Sequence, residues 1–135
     1  MERDFVPIVS AEGWALSNPP ILSMTPLISS FEIFLDAEMD NLFNKSKLLT
    51  NYLAYLLKNL NSDKIFITPE DPSMRGCQIS IHTKENGKQL HQTLTQAGVI
   101  CDWREPDVIR VAPFPLYNKF IEVYNFNEIL KTFLQ

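Results

Sequence analysis

The stretch from Asp36 to Asn59 reads DAEMDNLFNKSKLLTNYLAYLLKN, and it decides the fold class. Met39, Leu42, Phe43, Ser46, Leu49, Leu53, Leu56, Leu57 and Leu60 recur at intervals of three and four. Asp40, Asn44, Lys47, Asn51 and Lys58 fall off that stripe. A single apolar stripe with a polar remainder is the pattern of an amphipathic helix. At 1.5 Å per residue it predicts a helix roughly 36 Å long. Such a helix packs on a sheet or on a larger partner.

Short strand patterns follow the long helix. Ile65-Phe-Ile-Thr68 is brief and apolar, and Cys77, Ile79 and Ile81 alternate with Gln78, Ser80 and His82. Alternation of period two marks a strand with one buried face. Asn86 to Ala97 predicts a helix through Leu90, Leu94 and Ala97, closed by Gly98. Val99-Ile-Cys101 and Val108-Ile-Arg-Val111 read as strands around a turn at Pro106 and Asp107. A last helix, about Lys119 to Leu134, is expected to bury Phe120, Val123, Phe126 or Asn127, Leu130 and Phe133.

Upstream, Thr25 before Pro26 reads as a hydroxyl cap with proline in the first turn, where its missing N–H costs nothing. Leu27, Phe31 and Phe34 continue that helix to about Leu35. The order α, α, β, β, α, β, β, α predicts an α+β domain over residues 25–135. Its small, mostly antiparallel sheet of three or four strands is covered by helices. Residues 1–24 are expected to be an extended entry segment, since Pro7, Pro19 and Pro20 disfavour helix before them.

Composition narrows the function. With 135 residues, 45% hydrophobic, the chain suits one domain with a core. A net charge of −4 offers no basic footprint for nucleic acid. Four scattered glycines, Gly13, Gly76, Gly87 and Gly98, make no phosphate-cradling loop. Two cysteines and two histidines make no closely spaced zinc site, so no metal is expected. The most apolar stretch, Pro20 to Leu35, is interrupted by Pro26, Ser29, Ser30 and Glu32, so no membrane span is expected. The start Met1-Glu-Arg-Asp carries no secretory signal. A reduced, cytoplasmic setting is the expectation.

Residue types alone assemble no catalytic constellation. Cys101 beside Asp102 reads better as a small apolar residue ending a strand than as a nucleophile. His82 falls on the polar face of its strand. Two spots stand out. In Gly13-Trp-Ala-Leu-Ser-Asn-Pro-Pro20, two prolines restrict the backbone just after Ser17 and Asn18. Such a segment presents Asn18 either to a ligand or to its own turn. In Met74-Arg-Gly-Cys-Gln78, Arg75 stands before a strand with a glycine behind it. A guanidinium there either binds a carboxylate through two N–H donors or is simply solvated.

These same segments carry a resemblance. Gly13-Trp-x-Leu-Ser-Asn-Pro-Pro-Ile-Leu22 and Lys45-Ser-x-x-Leu-Thr-x-Tyr-Leu53 resemble kynureninase. So do Ile67-Thr-Pro69, Arg75-Gly-Cys-Gln78, Gly98-Val-x-Cys-Asp102 with Arg104-x-Pro106, and Ile109-Arg-Val-Ala-Pro-x-Pro-Leu-Tyr-Asn118. The resemblance runs in order from about Phe5 to the end. It implies a dimeric pyridoxal-phosphate enzyme of the aspartate-aminotransferase-like fold, hydrolysing L-kynurenine to anthranilate and L-alanine. It further implies that this chain is the small C-terminal domain and the segment entering it from a large cofactor-binding domain. In the family's pattern Arg75 takes the position that binds the substrate α-carboxylate. Asn18 takes the position that reaches cofactor and substrate, with Ser17 the weaker neighbour.

The family's Schiff-base lysine lies in a Lys-Trp context, and no Lys-Trp occurs here. The resemblance therefore implies a chain that is inactive alone and does not hold the cofactor tightly, whether natural fragment, split subunit or truncated product. A non-catalytic module that kept the small-domain fold is the competing expectation. A cysteine desulfurase-like enzyme of the same cofactor class is disfavoured by the Ser-Asn-Pro-Pro and Arg-Gly-Cys-Gln blocks. A missing large domain also predicts that Trp14, Ile21, Leu22 and Phe31 are exposed or covered by self-association.

Overall fold

A computed structural model describes residues 4–15 and 17–135; Met1 to Arg3 and Leu16, the last within the first quoted block, lie outside the described residues. The chain divides into two compact units, Met1–Ala37 and Glu38–Gln135.

The first unit is less extended than its prolines suggest. A 3-10 turn covers Ala11–Trp14, where Gly13 N donates to Ser10 O at 3.0 Å. Helix α1 is a single turn, Ile21–Met24, and α2 runs Pro26–Ala37. Thr25 does not cap α2 with its hydroxyl. It is already helical, and its Oγ1 donates back to Ile21 O at 2.8 Å. The helical path therefore begins at Ile21, four residues before the expected start. No residue of α2 is buried, although its sequence is PLISSFEIFLDA.

The second unit begins with α3, Met39–Asn59. The expected helix from Asp36 is interrupted at Glu38, whose φ of 61° lies in the region that side chains rarely adopt. The remaining 21 residues span about 32 Å. Leu42, Leu49, Thr50, Leu53, Ala54 and Leu57 are buried, and the stripe joins the common core from Leu49 onward. Met39 and Phe43, on the same stripe, are exposed.

Four strands follow, β1 Ile65–Thr68, β2 Ile79–Thr83, β3 Asp102–Arg104 and β4 Val108–Val111. They form one sheet in the order β1-β2-β4-β3 with every neighbouring pair antiparallel. This is the α+β architecture that the pattern predicts. Ile67, Ile79, Ile81, Ile109 and Val111 are buried on one face. Leu49, Leu53 and Leu57 of α3 join them in one core. Leu90 and Leu94 come from α4, Gly87–Gln96, and Val123, Phe126 and Leu130 from α5, Phe120–Leu134. Phe126 and Asn127 are both buried, while Phe120 is exposed.

One strand is displaced. Val99-Ile-Cys101 is not a strand, and β3 begins at Asp102. Gly98 has a φ of 83°, and Val99 N donates to Leu94 O at 2.9 Å. These bonds close the C-terminus of α4 and consume Val99. Ile100 is left fully exposed. Pairing starts only where Asp102 opposes Arg110.

Candidate functional site

Arg75 sits at the end of a segment organised by its neighbours. Asp71 Oδ1 accepts from Ser73 N and Ser73 Oγ, both at 2.8 Å, and shapes the 3-10 turn Pro72–Met74. Donation from the Ser73 backbone and then its hydroxyl holds the Asp71 carboxyl below its ordinary range. Arg75 follows in extended conformation, half-buried. Its Nη1 donates to Pro69 O at 3.1 Å and Glu70 O at 3.0 Å, and its Nη2 donates to Asn51 Oδ1 at 3.0 Å. Nε is out of contact with solvent and has no partner. A guanidinium has five N–H donors. Three are used here, and of the two that remain Nε–H is sealed from solvent, which leaves one Nη2 hydrogen for a further acceptor. Gly76 stands in open space, with no atom within 4 Å of where a Cβ would be. It leaves room beside Arg75 rather than allowing a close backbone approach.

Ser17 and Asn18 lie in the irregular stretch between the Ala11–Trp14 turn and α1, both exposed. Asn18 is not the cap of α1. Pro20 occupies that position, without a side-chain cap bond. These two residues belong to the first compact unit and Arg75 to the second.

The other candidates have structural roles. His82 Nε2 and Thr68 Oγ1 are hydrogen-bonded at 2.9 Å. The His82 ring stacks on Phe66 with centroids 4.4 Å apart. Cys101 is half-buried, and burial followed by the neighbouring Asp102 charge pushes its thiol pKa up. That is the reverse of activation. Among the described residues no group of histidine, cysteine and carboxylate side chains could hold a metal ion. No helix among them is long and apolar enough to cross a membrane.

Two open clefts lie among the described residues of the second unit. One, of about 560 Å³, lies between the end of α4, the end of β4 and α5, and no lysine or arginine lines it. The other, of about 470 Å³, lies between the ends of α3 and α5 and carries Lys64 and Lys131. Lys64 Nζ already donates to Leu134 O at 2.6 Å. Neither cleft is a ready phosphate cradle.

Sequence reasoning missed Asn51. Its position off the apolar stripe marks it only as a surface residue. Nothing in the linear pattern connects it with Arg75, 24 residues away.

Residues 42–130 match the family described as the kynureninase C-terminal domain. A kynureninase of Xanthomonas campestris is 45% identical over 98% of this chain and 32% of its own length. One from Stenotrophomonas maltophilia is 46% identical over 95% of this chain and 31% of its own. One from Flavobacterium johnsoniae is 42% identical over 97% and 32%. The chain thus spans about a third of the length of the curated relatives it matches. A phosphoserine aminotransferase from Cytophaga hutchinsonii is similar in fold, with a TM-score of 0.65 at 17% identity. The match covers 88% of this chain and 34% of that one.

Proposed function

The chain belongs to the kynureninase C-terminal domain family, and from that premise we propose that it is the substrate-carboxylate end of a kynureninase. The complete enzyme would hydrolyse L-kynurenine to anthranilate and L-alanine with pyridoxal phosphate. The observation that carries this reading is the Arg75 guanidinium, held by three acceptors and retaining an uncommitted Nη2 hydrogen. Paired with an amino-acid carboxylate, it would fix the substrate's orientation, and orientation supplies several kcal/mol of a barrier. Asn18, with Ser17 beside it, would reach the cofactor and substrate from the first unit.

The described residues of this chain do not fit the cofactor by themselves. The larger cleft has no cation for a phosphate. Lys45 and Lys64 spend their ammonium groups on the carbonyls of Pro115 and Leu134. The phosphate site and the Schiff-base lysine then belong to the two thirds of the relatives' length that this chain does not match. That portion, a large cofactor-binding domain or a dimer partner, is the proposed covering for the apolar side chains of the first unit. Self-association through the same side chains is the alternative covering in its absence.

The test joins this chain to the N-terminal two thirds of the Xanthomonas campestris relative. It then follows anthranilate fluorescence with L-kynurenine and pyridoxal phosphate. Turnover is expected in the joined protein and none in the chain alone. Arg75→Ala is expected to raise KM by tenfold or more. Turnover by the chain alone, or an unchanged KM in Arg75→Ala, overturns the assignment.

A further inference from the structure

Arg75 is anchored in two different ways. Pro69 and Glu70, which accept from Nη1, lie directly after β1, a few residues before Arg75 itself. Asn51, which accepts from Nη2, lies on α3. Its helical neighbours Thr50, Leu53 and Ala54 are buried, so its backbone is held by the core. Asn51 is thus the partner that ties the Nη2 group to a helix packed in the core. An asparagine also presents a neutral oxygen. It orients the guanidinium through one N–H without cancelling its charge, which a carboxylate at this position would do.

We propose that Asn51 is a positioning residue for a carboxylate clamp at Arg75. It holds the Nη2 group in one rotation so that the remaining Nη2 hydrogen stays available to an α-carboxylate. This rests on the reading of Arg75 as the carboxylate-binding residue. Asn51 needs no contact with substrate. Its effect is to reduce the freedom that Arg75 would lose on binding, and pre-organisation of this kind appears as affinity.

The experiment uses this chain labelled with 15N-arginine, with L-alanine as the probe. NMR reads the Arg75 Nε–H and Nη2 signals in the unaltered chain, Asn51→Ala and Asn51→Asp. Without ligand, Nη2 rotation is expected to be slow in the unaltered chain, at least several-fold faster in Asn51→Ala, and slow again in Asn51→Asp. L-Alanine affinity, read from Arg75 Nε, is expected to fall several-fold in Asn51→Ala. It is expected to fall tenfold or more in Asn51→Asp, where the guanidinium is ordered but neutralised. A purely structural role for Asn51 would not separate rotation from affinity in this way.

Equal Nη2 rotation in the unaltered chain and Asn51→Ala overturns the proposal, as does equal L-alanine affinity in all three. If L-alanine moves no Arg75 signal in the unaltered chain, the clamp reading itself fails, while the ligand-free rotation still decides whether Asn51 positions Arg75. Should Asn51→Ala not fold, the Asn51→Asp comparison alone decides, since loss of affinity with retained order is its signature.

Discussion

Asp102 shows how one residue can hold the edge of a sheet. Its Oδ2 accepts from Arg110 Nε at 2.8 Å, from Arg110 Nη2, and from Arg104 Nε at 2.9 Å. The Arg110 hydrogen bonds, and then Arg104, keep its carboxyl below the ordinary range. A lowered folded-state pKa means stability that is present above the ordinary carboxylate range and lost as pH falls through the lowered value. Asp102→Asn is therefore expected to lower Tm near pH 7, and the difference from the unaltered chain should shrink steadily below about pH 4. Thermal melts across pH check this, and a constant difference would place the effect elsewhere. Gly87 makes a second residue-scale prediction. A Cβ there would run into Thr83 Oγ1 and lie 3.0 Å from the Trp103 ring. Thr83 Oγ1 is committed to Asp107 O at 3.0 Å and cannot readily turn away. Gly87→Ala is expected to cost about 1–3 kcal/mol in urea unfolding, as overpacking does. The need for glycine is not legible in the sequence, because Trp103 is distant along the chain and the Thr83 hydroxyl is fixed there only by its bond to Asp107 O.

The long helix α3 divides its leucines sharply. Leu49 is fully buried in the core, whereas the adjacent Leu48 is 61% exposed. Removing buried methylenes leaves a cavity, so Leu49→Ala is expected to cost about 2–5 kcal/mol. Leu48→Ala should stay within about 0.5 kcal/mol in this chain. Chemical denaturation of the two variants measures both, and comparable losses would mean that α3 is packed in a different rotation. The periodicity assigns Leu49 to the stripe and leaves Leu48 off it, so this contrast is visible before folding. The periodicity also puts Met39 and Phe43 on the stripe, and there it overreaches. A period describes one face of a helix, but burial also requires that the neighbouring elements extend far enough to cover it. At the other extreme, the Glu122 side chain caps α5 from within, its Oε2 accepting from Lys119 N at 3.0 Å, while Glu122 N donates to the Lys119 backbone O at 3.1 Å. A lysine at that position is not a preferred cap, so the helix start was readable from its apolar spacing rather than from its cap.

At the scale of the molecule, the first compact unit presents apolar side chains without burying them. Trp14 is 85% exposed, Leu22 89% and Phe31 61%. A helix as apolar as α2 with no buried residue marks a surface that another body covers. The isolated chain is expected to associate with rising concentration in sedimentation. Replacing Ile28 and Phe31 together by Glu should shift it toward monomer while leaving the circular dichroism of the second unit unchanged. A monodisperse monomer before substitution would remove self-association as the covering of this face. Addition of the relatives' N-terminal portion should compete with self-association, because both would use the same side chains.

The sequence by itself determined the element order, the antiparallel α+β class and most of the core, though not the exposure of Met39, Phe43 and Phe120. Those follow from local periodicity, which each segment carries in its own residues. Its matching blocks also singled out Arg75, Asn18 and Ser17. The tertiary structure decided what lies beyond local periodicity. It broke the long helix at Glu38, moved the third strand from Val99–Cys101 to Asp102–Arg104, and brought Asn51 to Arg75. The break and the displaced strand each turn on one local backbone state, the positive φ of Glu38 and that of Gly98 with its Val99 N–Leu94 O bond, which apolar periodicity does not encode. The Asn51–Arg75 contact joins groups 24 residues apart, and their meeting exists only once the core has closed.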